Sequence, residues 1–332
     1  MRCFEFQTLF LPFNLKTMKK LIYLMLFGIL ISCGDQATKK EATNQTKENT
    51  SSILFDSLKT QFIDELWELN PIWASYEGFH KYDELLPIPD EANRKAKFEF
   101  SKAWLKRLKA VQIESLESLD LIDYRLIENY LKSIAFYQKE LKSWQWDAST
   151  YNLGGAFFQP INYKEKALTE RLKAIASKLE KVEAYYQAAK SNLKQASRVH
   201  TELAIQQLEG SKSIFNETLV DSLEKAKLDA DFKLDFRKKV KKAVAAIDQF
   251  KLYLEVEILA ELEEDDQKFR IGEKLFEKKF GYEIQSQHTA EEIFQKAVEE
   301  KEKLHDHLYR ISESLWSKYF PDREKPGSIL KQ

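Results

Sequence analysis

Cysteine occurs only twice in the 332 residues, as Cys3 and Cys33. Both precede Ile53, where the composition first becomes that of a folded domain. A disulfide framework and a thiolate metal site are therefore excluded for residues 53–332, because each needs cysteines within the domain.

Proline and glycine are also scarce, with seven and nine residues. No proline occurs between Pro160 and Pro321, and only Gly210, Gly272 and Gly281 interrupt that span. Both residue types break helices, and no run of alternating apolar and polar residues suggests a sheet. The sequence predicts an all-α fold for residues 53–332, a multi-helix bundle with long antiparallel helices.

Three apolar seams with spacings of three and four residues support this fold. The first is predicted to lie on one long helix and the second on another, with Gly210 ending a shorter element between them. Such seams are typical of the core of a bundle, and an intermolecular coiled coil is the alternative. The seams are Leu168, Leu172, Ile175, Leu179, Val182, Tyr186, Ala189 and Leu193; Phe232, Phe236, Val240, Ala243, Ile247, Phe250, Leu254 and Ile258; and Leu304, Leu308, Ile311 and Leu315.

Local signals place several helix boundaries. Thr289 and Glu292 are spaced as a capping box, which predicts a helix start near Ala290. Residues 55–69 and 119–141 also have helical spacing. The chain is expected to break at Asn70–Pro71 and again at residues 86–89, where two prolines occur.

The charge balance argues against a nucleic-acid partner. The whole chain has 52 Lys and Arg against 53 Asp and Glu. Without residues 1–32 the counts become 48 and 52, a net charge of −4. Binding to phosphates needs a basic excess, and none is visible.

The first 33 residues have the layout of a secretory signal. Met18, Lys19 and Lys20 give a positive start, and an apolar run of 11 residues from Leu21 to Ile31 follows. This run is too short to span a bilayer. It resembles a bacterial lipoprotein signal ending in a lipobox, which implies cleavage before Cys33 and acylation of its thiol. An ordinary signal peptide is the alternative.

These features divide the chain into three parts. Residues 1–32 comprise an upstream extension and the lipoprotein signal. Residues 33–52 are lipidated Cys33 and a polar tether, predicted to be disordered because it offers little apolar surface to bury. Residues 53–332 form the helical domain. The lipid would hold the protein to a membrane in the cell envelope, on the periplasmic side or at the cell surface.

Several segments, in order and spacing, resemble the N-terminal half of the bacterial DUF885 family, a domain of unknown function. They cover nearly the whole mature chain, and no single segment is a catalytic signature. The segments are Glu68–Asp83 followed by Leu86–Pro87, Trp146–Asn152, Arg171–Leu172, Ala189–Leu193, Ala204–Gly210, Phe269–Gly272 and Thr289–Ile293.

The resemblance implies a zinc-dependent peptidase whose His-Glu-x-x-His helix lies in the C-terminal half of the family fold. None of the five histidines here (His80, His200, His288, His305 and His307) is followed by Glu. His305 and His307 are about 200° apart around a helix and cannot chelate one ion from a single face. We therefore expect no catalytic or metal-binding residue and no cofactor in this chain, with zinc only in the missing half.

The best candidate for binding is the loop containing His80, Tyr82 and Asp83, since it is polar and aromatic beside a proline turn. A packing motif that connects two helices is the alternative. Two functions remain open. The chain is either the non-catalytic half of a peptidase, truncated or completed by a separately encoded C-terminal half and contacting peptide substrate, or a helical binding or scaffold lipoprotein that functions alone.

Overall fold

The computed structural model describes residues 38–264 and 269–325, with side chains from residue 54 onward. The described residues from Glu48 onward cluster as one compact unit. The predicted signal and Cys33 lie outside the described residues. The helices are α1 (Thr38–Leu69), α2 (Pro71–Tyr76), α3 (Glu91–Leu108), α4 (Ser118–Phe136), α5 (Gly154–Asn162), α6 (Leu168–Leu179), α7 (Val182–Asn192), α8 (Arg198–Ser213), α9 (Leu219–Lys225), α10 (Ala230–Tyr253), α11 (Glu273–Ile284) and α12 (Ala290–Tyr319).

The described residues contain helices and turns and no strand, so the predicted all-α bundle is confirmed. Three helices continue into short π-helical segments, at Tyr137–Leu141, Ile214–Thr218 and Leu254–Ile258. Short 3₁₀ turns occur at His80–Tyr82, Ile113–Ser115, Ser143–Gln145, Ala148–Tyr151 and Leu259–Glu261.

Helix boundaries follow from local chemistry. Asn70–Pro71 separates α1 from α2, and Pro71 occupies the first turn of α2, where its missing N–H costs nothing. Asp90 caps α3 by accepting a hydrogen bond from the Asn93 N–H at 2.8 Å. Thr289 and Glu292 form the predicted capping box, and α12 begins at Ala290 as expected.

Residues 38–52 differ from the prediction of a disordered tether, because α1 begins at Thr38. Seven of these 15 residues are Lys, Glu, Gln or Ala, which favour helix, and the other eight are Thr, Asn or Ser, which favour it less. Once residues 55–69 are held in a helix by packing, extending that helix backward needs no new nucleation step.

Two hydrophobic cores hold the unit together. The smaller core joins α1, α3 and α4 around Phe62, whose ring meets Trp104 edge-on with centroids 5.2 Å apart. The main core joins α5 to α10, where Tyr186 of α7 stacks on Phe250 of α10 at 4.8 Å. Burial of such apolar area is the main force for folding.

Most residues of the first two seams are buried in the main core, as predicted, and Leu168, Phe232 and Ile258 are partly buried against it. The first seam, however, does not lie on a single helix. A turn at Glu180 and Lys181 separates α6 from α7, and Lys181 N–H donates to the carbonyl of Lys178 at 2.9 Å. Leu179 and Val182 are both buried on either side of this turn. The turn keeps the apolar spacing, so periodicity alone could not reveal it.

Gly210 does not end a helix, contrary to the prediction, since α8 continues to Ser213. Glycine inside a helix costs about 1 kcal/mol relative to alanine. Ala204 and Leu208 of the same helix are 1% exposed in the main core, and their burial offsets that cost.

Candidate functional site

The predicted binding loop forms the 3₁₀ turn between α2 and α3. His80 Nδ1 and Asp83 Oδ2 are 3.0 Å apart, and both side chains are more than nine-tenths buried. A carboxylate only accepts hydrogen bonds, so Nδ1 carries the proton. Tyr82 instead lies against α1, where its hydroxyl donates to Asp64 at 3.2 Å. The structure thus brings together two of the three predicted residues.

Residues distant in sequence complete a charged cluster around His80 and Asp83. Glu165 Oε2 lies 3.7 Å from His80 Nε2, and Lys166 Nζ donates to the carbonyl of His80. Arg171 donates to the carbonyl of Ile161. Three buried atoms of this cluster lack a hydrogen-bond partner within the described part of the chain, namely His80 Nε2, Asp83 Oδ1 and Arg171 Nε.

Lys178 of α6 lies next to this cluster and is fully buried. Loss of hydration lowers the pKa of its ammonium group to about 8, and attraction to Asp83 opposes that shift. Its Nζ donates to the carbonyl of Ala156 at 3.3 Å. Sequence analysis missed this residue, which flanks the first seam, where a lysine normally extends to solvent.

The space among His80, Asp83, Glu165 and Arg171 is too small for a water molecule. A ligand could therefore not enter without movement of these side chains. In this conformation the cluster ties the turn after α2 to the start of α6, which corresponds to the packing alternative for the loop.

A second polar set lies at the start of α8. Ser197 Oγ is 2.7 Å from His200 Nδ1, and His200 Nε2 is 3.8 Å from Asp147 Oδ2. The residue types are those of a hydrolase triad. Ser197 is 0% exposed, however, so a substrate cannot reach its hydroxyl. We assign these residues to the packing of α8 against the turn at Asp147.

The third seam is the main departure from the predicted core. The α12 face, defined as Leu304, Leu308, Ile311 and Leu315, is between 41% and 59% exposed. No described side chain of α11 or α12 is buried. Phe294 and Tyr319 extend the exposed apolar surface toward the two ends of α12.

No group of three or more His, Cys, Asp or Glu side chains among residues 54–264 and 269–325 is arranged to hold a metal ion. In the same part of the chain, no helix has the length and apolar character needed to cross a membrane.

Comparison with known proteins identifies the family. The model of a bacterial protein family of unknown function, DUF885, matches residues 71–328. The chain belongs to the DUF885 family. The resemblance found in the sequence is thereby confirmed at the level of the family. No curated protein matches the chain.

A solved structure similar to this chain supports the fold. It is a predicted lipoprotein of unknown function from Shewanella oneidensis, 38% identical to this chain, with a TM-score of 0.74. The match covers 83% of this chain but 50% of that protein. This chain therefore spans about half the length of its structural relative.

Proposed function

We propose that this DUF885 chain is the non-catalytic N-terminal half of a lipid-anchored peptidase. Its helices would form one wall of a peptide cleft, and the remaining half of the family fold would pack on the α12 face. The observation that carries the proposal is the exposed α12 face in a chain that matches only half of its structural relative.

The physical argument concerns α12 as a helix. A helix of 30 residues is about 45 Å long, and an amphipathic helix in a globular protein normally buries its apolar stripe. Completing the burial of four aliphatic side chains that are already half covered would contribute on the order of 5 kcal/mol. A complementary apolar surface on the other half would supply that burial.

The catalytic part of the proposal rests on the family resemblance. A zinc peptidase of this type needs two histidines one helical turn apart with a glutamate beside the first. This chain has no such pair, since His305 and His307 are separated by a single residue. Zinc, the catalytic residues and peptide hydrolysis are therefore assigned to the other half.

The proposed location is the cell envelope. Cys33 follows an apolar run with the layout of a lipoprotein signal, and the Shewanella oneidensis relative is described as a predicted lipoprotein. The lipid on Cys33 would hold the domain at a membrane surface without a spanning helix.

The test begins with the DNA that follows codon 332. We expect a continuation, in frame or shifted in frame, that encodes His-Glu-x-x-His. When that segment is produced separately with an affinity tag, the present chain should co-purify with it. An unrelated neighbouring gene would overturn the proposal and favour a helical binding lipoprotein that functions alone.

A matched pair of variants tests the surface. Leu308→Asp places a charge in the α12 face and should reduce co-purification at least tenfold. Ser317→Asp adds the same charge about 180° around the helix at an exposed position and should have no effect. Equal co-purification of both variants, or dimerisation of the chain through this face in sedimentation experiments, would contradict the proposed docking.

A further inference from the structure

A pocket of about 410 Å³ lies where α1 meets α2, beside α3 and α7. We call it the α2–α3 pocket. Its volume is in the range of small-molecule sites, and it is mainly apolar with few polar groups. The residues that carry the argument are Trp73, Tyr76, Pro87, Pro89, Lys97 and Tyr185.

Two aromatic side chains of α2 form an exposed wall of this pocket. Trp73 and Tyr76 are 41% and 44% exposed, so part of each ring is accessible to a ligand. The Trp73 ring meets Trp67 edge-on at 4.9 Å, and its Nε1 donates to Glu77 at 3.1 Å. The Tyr76 hydroxyl lies directly over Gly155, where no side chain would fit. Both rings are therefore held in place without a ligand.

Lys97 supplies a positive charge without a counter-ion. Its ammonium group has neither a hydrogen bond nor an ion pair within the described parts of the chain, and burial lowers its pKa. By contrast, Lys59 contacts Asp56, Asp120 and Asp123 within 2.9 Å. A partly buried cation without a partner is costly, and a bound anion would remove that cost.

Tyr185 adds a neutral hydrogen-bonding group to the same pocket. Burial raises the pKa of its phenol, so the hydroxyl keeps its proton. That hydroxyl has no hydrogen-bond partner among the described residues, and it remains free to donate to a ligand oxygen.

We propose that the α2–α3 pocket binds the carboxylate of a ligand that also carries an aromatic or aliphatic group. The carboxylate would pair with Lys97 and accept from Tyr185, and the apolar group would lie against Trp73 and Tyr76. The C-terminal residue of a peptide and a free organic acid share this chemistry. The proposal does not depend on the docking of a second half at α12.

The experiment is isothermal titration calorimetry at pH 7 on the full chain purified in detergent. N-acetyl-phenylalanine is the charged probe, and its amide, N-acetyl-phenylalaninamide, has the same shape without the charge. We expect the acid to bind at least tenfold more tightly than the amide. Equal affinity of the two probes, or no binding of the acid at millimolar concentration, would overturn the proposal.

Variants of two lysines in α3 test whether Lys97 supplies the positive charge that pairs with the carboxylate. Lys97→Met keeps the apolar stem and should weaken binding of the acid at least tenfold while leaving the amide unchanged. Lys95→Met, at an exposed position two residues earlier in α3, should bind both probes as the original chain does. Wild-type affinity for the acid in Lys97→Met would show that the pocket does not bind the carboxylate.

The peptide Ala-Ala-Phe, with a free or amidated C-terminus, distinguishes the two sources of the ligand. Binding of the free peptide as tightly as N-acetyl-phenylalanine, with at least tenfold weaker binding of its amide, would support a peptide C-terminus. Binding of N-acetyl-phenylalanine alone would support a free organic acid. Tight binding of the amidated peptide would contradict recognition of the carboxylate.

Discussion

Lys178 Nζ lies 3.3 Å from the carbonyl oxygen of Ala156, and the lysine side chain is fully buried in the main core. One carbonyl replaces only part of the hydration that an ammonium group has in water. Attraction to Asp83 restores some of the lost energy, but burial has the larger effect on the pKa. The charge of Lys178 is therefore a net cost to stability at neutral pH.

This cost predicts a pH dependence. Below pH 8 Lys178 is protonated in both states, whereas between about 8 and 10.5 only the unfolded chain holds the proton. The free energy of unfolding should therefore rise with pH in this window, by about 2 kcal/mol from pH 8 to 10 relative to Lys178→Met. Urea denaturation of both proteins from pH 7 to 10 measures the difference. The prediction would be contradicted if the free energy of unfolding changed with pH in the same way in the original chain and in Lys178→Met.

Charges placed in the two buried seams should destabilise the fold. Ile175 and Ile247 are both 0% exposed, so Ile175→Asp or Ile247→Asp buries a carboxylate without a partner and should cost several kcal/mol. Lys181→Ala, at an exposed position, should change the free energy of unfolding by about 0.5 kcal/mol or less. Thermal unfolding followed by circular dichroism compares them, and similar melting of both classes would show that the buried faces are misassigned.

Replacement of two glycines by alanine should change the stability of the fold in opposite directions. A Cβ added at Gly210 would have no neighbouring heavy atom within 4 Å, so Gly210→Ala should stabilise α8 by about 0.5–1 kcal/mol. At Gly154 a Cβ would lie 3.0 Å from Ser211 Cβ and 3.2 Å from Ile214 Cδ1. Gly154→Ala should therefore destabilise by about 1–3 kcal/mol through overpacking. Denaturant unfolding measures the change in the free energy of unfolding for each variant. A change of the same sign in Gly210→Ala and Gly154→Ala would refute the packing argument.

Helix boundaries were predicted correctly where residues close together in sequence determine them. The capping box at Thr289 and the break at Pro71 depend on neighbouring residues, and both lie where expected. The Lys181 turn and the helical Gly210 were missed, since neither changes the apolar spacing. In these two places tertiary packing decides the local structure.

The candidate site was predicted only in part, for a similar reason. His80 and Asp83 are three residues apart, so a short turn suffices to bring them together. Lys178 approaches from a helix almost 100 residues later, and no sequence pattern indicates that pairing. The exposure of Leu308 could not be predicted from the apolar spacing either. That spacing identifies an apolar helix face, but it does not show whether another part of the protein covers the face.

The anchor can be tested at one residue. Cys33 is the only thiol after the predicted signal, so Cys33→Ser should prevent both acylation and cleavage by the lipoprotein signal peptidase. Growth with labelled fatty acid should mark the original protein and not the variant. Label that persists in Cys33→Ser would remove the argument for this anchor.

The final prediction is that the purified chain binds no stoichiometric zinc and cleaves no peptide. A catalytic zinc site usually has three protein ligands and an open position. After the predicted signal the sequence offers no cysteine other than Cys33, and none of the five histidines begins the His-Glu-x-x-His spacing. Distant histidines and carboxylates would have to assemble the site. Metal analysis after dialysis against a weak chelator, together with a peptide-cleavage assay, provides the measurement. One tightly held zinc per chain that is lost in His80→Ala or His200→Ala would contradict the assignment of catalysis to the other half.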